Sequence, residues 1–138
     1  MIKIFFCVLA LSSFLFSAQF NQSMQEYINT LKTQAKSDDP NFVDFDAKRG
    51  EMIFSTKSKG KNDQLISCQS CHNVDLTKEA TNIFTNKKIA PLAPSVNPTR
   101  LTDVKEVKKW LKRNFKDVYL REGTALEKGD VLYYLIKQ

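Results

Sequence analysis

The stretch Cys68-Gln69-Ser70-Cys71-His72 decides the fold of this chain. It has the pattern C-x-x-C-H, in which two thiols lie one helical turn apart and a histidine directly follows the second. This spacing suits two thioether bonds to the vinyl groups of one porphyrin, with the imidazole as proximal ligand to its iron. The motif therefore predicts one covalently bound haem c, attached through Cys68 and Cys71, with His72 as proximal iron ligand.

The start of the chain resembles an export signal. The chain has 138 residues and a formal net charge of +6, a length that fits one folded domain. It begins Met1-Ile2-Lys3, continues as an apolar run over residues 4–16 and reaches Ser17-Ala18. These features predict a secretory signal peptide over residues 1–18, a haem domain over residues 19–138 and a periplasmic location. An uncleaved anchor is the alternative, although a membrane span needs about 20 apolar residues.

Two other kinds of site share part of the C-x-x-C-H pattern. A thioredoxin-like redox pair is expected near a βαβ pattern, and no such pattern surrounds these cysteines. A tetrahedral zinc site needs four ligands. After the signal peptide, the thiol and imidazole ligands in the chain are Cys68, Cys71 and His72 alone. Both alternatives are therefore weaker than the haem interpretation.

Apolar spacing predicts an all-α domain, and no strand pattern of any length is visible in the sequence. Before the motif, helices are expected over about 24–36, with a buried stripe of five residues, and over about 47–56, with Asp46 as N-cap. A short haem helix covers residues 67–72. The stripe of the first helix consists of Met24, Tyr27, Ile28, Leu31 and Ala35.

After the motif, three prolines keep residues 73–101 irregular, and we expect this stretch to wrap the haem edge. A helix should follow from Thr102 or Asp103 to about Asp117, with apolar residues on one side and five lysines on the other. The last helix begins at a capping box formed by Thr124 and Glu127 and runs to the C-terminus. Haem-packing or core roles are expected for Phe54, Trp110, Leu111 and Tyr134.

The second axial ligand of the iron is less obvious. All three methionines precede the motif and His72 is the only histidine, so the distal position is empty or is filled by water, Asn, Lys or Tyr. Asn114 lies in the apolar stripe of its helix, where a buried amide needs a partner, either iron or a backbone group. Lysines of the same helix are the rival ligands, although such charge runs are usually solvated.

Several stretches resemble the sphaeroides haem protein family of class I cytochromes c, also described as a cytochrome domain of unknown function. The resemblance covers essentially the whole mature chain. It is carried by Phe45-Asp46-Ala47-Lys48-Arg49-Gly50 through Phe54, the C-x-x-C-H motif, Pro91-Leu92-Ala93-Pro94-Ser95-Val96-Asn97-Pro98, Thr102-Asp103, Val107, Lys109-Trp110-Leu111, Arg113-Asn114, Lys116-Asp117-Val118 and Glu127-Lys128-Gly129-Asp130.

The resemblance implies an all-α class I cytochrome c fold of four to five helices around one covalent haem. It places the helix of Gly50 and Phe54 across the last helix. It also implies that Asn114 is a weak distal iron ligand that leaves on reduction, so that the iron can take oxygen, nitric oxide or a related ligand. Family members carry a disulfide at the positions of Phe115 and Gly123. This chain lacks both cysteines and would forgo about 2–3 kcal/mol of stabilisation.

Two functions follow as hypotheses. The first is electron transfer, for which the resemblance implies a dihaem cytochrome c and a membrane cytochrome b as redox partners. The lysines of helix 103–117 would steer docking to an acidic partner. The second is binding or reduction of a diatomic ligand such as oxygen or nitric oxide. An electron carrier is favoured over an enzyme, and no catalytic residue is identified. Export and the lack of a basic–aromatic motif disfavour nucleic-acid binding, and we expect a monomer.

Overall fold

Helices dominate the structure, a computed structural model that describes residues 18–138. The predicted signal peptide, apart from Ala18, therefore lies outside the described residues. In chain order the elements are α1 Gln22–Asp38, α2 Ala47–Ser55, β1 Ser58–Lys59, a 3-10 turn Lys61–Asp63, β2 Leu65–Ile66, α3 Gln69–His72, β3 Ala80–Thr81, β4 Lys88–Ile89, α4 Val104–Tyr119 and α5 Ala125–Leu135. The all-α prediction is confirmed.

Two antiparallel strand pairs interrupt the stretches that sequence reasoning treats as irregular. Strand β1 pairs with β2 through Ser58 and Ile66, and β3 pairs with β4 through Ala80 and Ile89. Each strand has only two residues. Strands of this length close a hairpin but cannot produce the alternation by which a strand is recognised in sequence.

Helix α1 follows its apolar pattern. The side chain of Asn21 accepts a hydrogen bond from the Met24 amide at 2.9 Å and caps the first turn. The buried residues of α1 are the five predicted ones, Met24, Tyr27, Ile28, Leu31 and Ala35. They pack this helix against α5 and join it to the main core.

Helices α2 and α5 cross at close range. The backbones approach so closely that a Cβ built on Gly50 would overlap the backbone carbonyl of Asp130. The side chain of Asp130 is 1% exposed, yet it accepts hydrogen bonds from Arg49 Nε at 2.8 Å and from the Asp46 amide at 2.7 Å. The crossing is the predicted one. The burial of the Asp130 carboxylate was not predicted, because an acidic residue in an amphipathic pattern is normally expected to face solvent.

One face of helix α4 lines the largest part of a cavity that is described below. The side chain of Asp103 caps it by accepting from the Glu106 amide at 3.0 Å, and the helix ends where Leu120 adopts a left-handed φ of 57°. Its buried residues are Val107, Leu111, Phe115 and Val118. Phe115 is only 4% exposed.

A capping box starts α5, as predicted. Thr124 Oγ1 accepts from the Glu127 amide at 3.2 Å, and Glu127 Oε2 accepts from the Thr124 amide at 2.8 Å. The guanidinium of Arg121 forms two bonds to the same carboxylate, at 2.6 and 2.7 Å. The helix ends at Leu135, short of the C-terminus, and the partly buried Leu126 packs against the core.

Glu127→Gln is expected to lower the free energy of unfolding at neutral pH by about 0.5–1 kcal/mol. Glutamine can still complete the capping box but cannot form the ion pair with Arg121. That pair lowers the pKa of Glu127, so its contribution is complete above the ordinary Glu pKa and is lost as the pH falls through the folded-state value. Urea unfolding of both proteins should therefore give curves that differ at pH 7 and converge in acid. A difference independent of pH would contradict this account.

Candidate haem site

A largely apolar cavity of about 730 Å³ lies beside α3 and α4. Its volume is within the range of about 300–1,000 Å³ that is usual for ligand and cofactor sites. Its walls are formed by Phe54 of α2, the motif residues Cys68, Cys71 and His72, the β3–β4 hairpin, part of the proline-rich stretch, one face of α4 and the side chains of Val131, Leu132 and Leu135 from α5.

The structure brings all three predicted haem-attachment and proximal-ligand residues to this cavity. Helix α3 is a single turn, in which the amides of Cys71 and His72 both bond to the carbonyl of Cys68. No disulfide joins the two cysteines. Burial raises the pKa of the Cys68 thiol to about 12, whereas a redox-active C-x-x-C pair depends on a lowered thiol pKa. The Cys68 thiol therefore lacks the lowered pKa expected of an attacking thiol in thiol–disulfide exchange.

The imidazole of His72 has the properties of an iron ligand. Burial, and secondly the positive charge of Arg100, lower its pKa to about 4. The ring is therefore neutral at physiological pH, which is the form that binds a metal. Its Nδ1 atom is buried and has no hydrogen-bond partner within residues 18–138, and its ring packs 5.9 Å from that of Phe54. A buried nitrogen without a protein partner fits a cofactor that supplies one.

Asn114 lies on α4 and lines the same cavity. It is half-buried, and its side-chain amide makes no hydrogen bond to any described residue. The other two cavity-lining asparagines are engaged: Asn82 Oδ1 accepts from the Phe84 amide at 2.9 Å, and Asn97 Nδ2 donates to the Pro91 carbonyl at 3.0 Å. The backbone partner considered for Asn114 from the sequence is thus not found in the described part of the chain.

The lysines of α4 point away from the cavity. None of its lining residues on α4 is a lysine. Lys109 pairs with Glu106 at 3.0 Å and Lys112 with Glu122 at 3.1 Å. Two other lysines, Lys87 and Lys88, reach the cavity from the β3–β4 hairpin, but both are exposed. The rival ligands on α4 are therefore in solvent, as expected of a charged helix face.

The structure separates haem-packing residues from core residues, which the sequence leaves undivided. Phe54, Trp110 and Leu111 line the cavity, whereas Tyr134 packs on Phe54 at 5.6 Å without lining it. Trp110 is 41% exposed, and its Nε1 donates to Glu106 Oε2 at 3.1 Å. Its indole therefore forms part of the rim of the cavity.

Aromatic packing holds the segment that follows Asn114, where the family resemblance implies a disulfide. A Cβ built on Gly123 would lie 2.8 Å from the ring of Phe115, so only glycine leaves room for this ring. Glu122 adds an ion pair with Lys112 at 3.1 Å. The two residues that replace the cysteines thus contact each other.

One charged residue at the cavity was missed by sequence reasoning. Arg100 lies in the irregular stretch before α4 and lines the cavity, with its Nε 3.0 Å from the Pro91 carbonyl. A lone arginine among prolines has no periodicity to indicate which way it faces. The β3–β4 hairpin was missed as a wall of the cavity for the same reason.

Comparison with known proteins identifies the family. A family model described as a domain of unknown function, DUF1924, matches residues 40–135. The cytochrome c-type protein SHP of Cereibacter sphaeroides is 48% identical over 94 residues, which are 67% of this chain and 71% of that protein. The chain belongs to this SHP-like cytochrome c family. The family expected from the motifs around the haem site is therefore confirmed, and the chain is a c-type cytochrome whose cofactor is haem c.

Solved structures of family members have the same fold. A structure of oxidised SHP, described as an oxygen-binding cytochrome c, matches with a TM-score of 0.72 and 38% identity over 83% of this chain and 96% of that one. A solution structure of cytochrome c'' from Methylophilus methylotrophus, described with reference to haem-ligand detachment, matches with a TM-score of 0.73 and 27% identity over 84% and 94%. The predicted class I cytochrome c fold is confirmed. None of the helices within residues 18–138 combines the length and apolar character needed to cross a bilayer.

Proposed function

We propose that this cytochrome is a periplasmic electron carrier with a distal ligand, Asn114, that leaves the iron on reduction and admits a small diatomic ligand. Asn114 is the observation that carries the proposal. Its amide lines the cavity that His72 also lines and has no hydrogen-bond partner among the described residues. Methionine and further histidine are absent from the chain after the motif, so no stronger ligand of the usual kinds competes there.

Within the proposal each motif residue has one role. Cys68 and Cys71 would hold the porphyrin through thioether bonds, and the neutral imidazole of His72 would bind its iron in both oxidation states. When bound, haem c supplies a one-electron iron centre whose second axial position can exchange ligands. The amide of Asn114, a neutral oxygen donor, binds ferrous iron more weakly than nitrogen or sulfur donors do. SHP is described as an oxygen-binding cytochrome c, and cytochrome c'' is described with reference to haem-ligand detachment; both descriptions support this assignment.

Export remains a proposal that rests on residues 1–18. A short basic start, an apolar run and Ser17-Ala18 fit a secretory signal. Covalent haem fits the same compartment, because c-type haem is attached outside the cytoplasm. N-terminal sequencing of the protein purified from the periplasmic fraction tests both the compartment and the cleavage site after Ala18.

The double variant Cys68→Ala/Cys71→Ala is expected to lose covalent haem completely. Expressed with a haem c maturation system, the native protein should retain its haem through denaturing electrophoresis and acidified-solvent extraction, because two thioethers hold it. Gln69→Ala, which changes a motif residue without a thiol, is the matched control and should retain the haem. Covalent haem on the double variant would contradict the attachment sites.

The lysine face of α4 is the proposed docking surface for acidic redox partners. It comprises Lys105, Lys108, Lys109, Lys112 and Lys116. Ion pairs with Glu106 and Glu122 neutralise part of this charge, and Lys108 lies 4.8 Å over the ring of Tyr27. Electrostatic steering acts mainly on the association rate and is weakened by salt. A dihaem cytochrome c and a membrane cytochrome b are the partners proposed.

Lys112→Glu is expected to slow reduction by an acidic dihaem cytochrome c several-fold at low ionic strength. Lys48→Glu makes the same charge change on α2, away from this face, and should have a much smaller effect. Stopped-flow second-order rate constants should converge for all three proteins as salt is added, because screening removes the steering term. Rates independent of salt would contradict docking through this face.

Ligand binding as the main function is the second candidate. The observation in its favour concerns Asn114, whose side-chain amide lines the cavity and makes no hydrogen bond to any described residue. Displacement of this amide by a diatomic ligand would therefore break no hydrogen bond within the described part of the chain. A carrier would exchange electrons with its partner faster than it binds oxygen or nitric oxide. Comparison of those two rates in the reduced protein distinguishes the functions.

A further inference from the structure

Arg100 is held rigidly at the wall of the cavity. Its Nε donates to the Pro91 carbonyl at 3.0 Å and its Nη2 to the Ala90 carbonyl at 2.7 Å. The Pro91 carbonyl also accepts from Asn97 Nδ2 at 3.0 Å. These bonds fix one edge of the guanidinium and leave the Nη1 donors unused by any described residue. A side chain positioned in this way is prepared for a ligand rather than simply solvated.

The charge of Arg100 has no carboxylate partner. Within residues 18–138, Arg49 pairs with Asp130 and Arg121 with Glu127, whereas no carboxylate oxygen lies within 4.0 Å of Arg100. Burial lowers the pKa of Arg100, which reflects an incompletely solvated charge. Leaving such a charge uncompensated is unfavourable, so a counterion from outside the chain is expected.

The acidic residues that share the cavity are already engaged. Asp103 caps α4, and Glu106 bonds to both Lys109 and Trp110. Asp117 lies 3.8 Å from Lys61. The cofactor itself carries two carboxylates, its propionates. Arginine is well suited to carboxylates because its planar fork can donate two parallel hydrogen bonds.

We propose that Arg100 binds a propionate of haem c and that its fixed charge raises the reduction potential. This inference rests on the haem occupying the cavity, as the proposed function assumes. Arg100 is close enough for its charge to act on His72. A fixed positive charge near the iron favours the reduced form, which carries one positive charge fewer. Because the site is partly buried, salt should screen this effect only weakly.

Arg100→Gln should lower the reduction potential, and Arg113→Gln is the matched control. Arg113 also lines the cavity, but it is exposed and lies 5.4 Å over the Trp110 ring. We expect at least a tenfold change in the equilibrium between reduced and oxidised Arg100→Gln, which is 59 mV for one electron. The control should shift less, and salt should abolish its shift. Equal shifts, or none for Arg100→Gln, would overturn the proposal.

Two further measurements keep the proposal testable if Arg100→Gln does not mature. Nuclear Overhauser effects in the unaltered oxidised holoprotein should connect Arg100 side-chain protons with the propionate methylene protons. Their absence would overturn the proposal regardless of the variants. Arg100→Lys keeps the positive charge but loses the planar pair of guanidinium donors. Its reduction potential should therefore stay closer to that of the native protein than to that of Arg100→Gln. If haem bands were missing altogether, the haem site would fail; normal bands with an unchanged potential would refute only the role of Arg100.

Discussion

Asn114→Ala is expected to leave the oxidised iron open to added ligands. The proposed function holds that the Asn114 amide occupies the distal position of the ferric iron, so an external ligand should bind only to the fraction of molecules in which the amide has left. Removing the amide removes that competition, and imidazole should bind the ferric variant about tenfold more tightly or better. Carbon monoxide affinity of the reduced protein should change little, because the amide has already left. Absorption titrations of both oxidation states measure the two affinities.

Asn82→Ser provides the control for this experiment. Asn82 also lines the cavity, but its side chain caps the turn of the β3–β4 hairpin, a role that serine can retain. Its ferric imidazole affinity should match that of the native protein. If Asn114→Ala also left that affinity unchanged, the amide would not be the distal ligand, and Lys87 at the cavity edge would be the next residue to replace.

Gly50→Ala is expected to destabilise the protein, although alanine normally stabilises a helix by about 1 kcal/mol over glycine. The added Cβ would overlap the backbone carbonyl of Asp130, and it would also lie 2.9 Å from the Cβ of Tyr134. A backbone carbonyl cannot rotate away as a side chain can, so α2 and α5 must separate. Overpacking of this kind costs about 3 kcal/mol, a fall on the order of 10 °C in Tm.

Lys48→Ala is the control: it changes a residue of the same helix that does not take part in the close approach of Gly50 to Asp130. Lys48 is exposed on α2, and its replacement should change the free energy of unfolding by no more than about 0.5 kcal/mol. Chemical unfolding of the three holoproteins, followed by far-UV circular dichroism, compares them directly. Equal or greater stability of Gly50→Ala would show that the two helices do not depend on this close approach. Loss of the α5 packing would also loosen Phe54, which lines the haem cavity.

Sequence reasoning succeeds where one local pattern determines the structure. The buried stripe of α1, the caps Asp46 and Asp103 and the capping box of Thr124 are set by residues within a few positions of one another. The haem motif is equally local, since its three functional residues fall in one helical turn. These features therefore needed no knowledge of the tertiary structure.

The parts that sequence reasoning missed depend on residues far apart in the chain. Asp130 is buried because Arg49, on another helix, bonds to its carboxylate. Arg100 lines the cavity because the carbonyls of Ala90 and Pro91 hold it there. No periodic pattern encodes either contact. Asn114 is an intermediate case. The sequence placed it in the apolar stripe of α4, but only the structure shows that its amide has no hydrogen-bond partner within residues 18–138.

The absorption spectrum of the purified holoprotein, oxidised and then reduced with dithionite, with and without carbon monoxide, tests the central claim most directly. The account predicts haem c bands, a high-spin spectrum after reduction and a clear shift on adding carbon monoxide, because the Asn114 amide leaves the reduced iron. A low-spin reduced spectrum that carbon monoxide does not change would contradict it, since a strong second ligand would then hold the iron in both oxidation states.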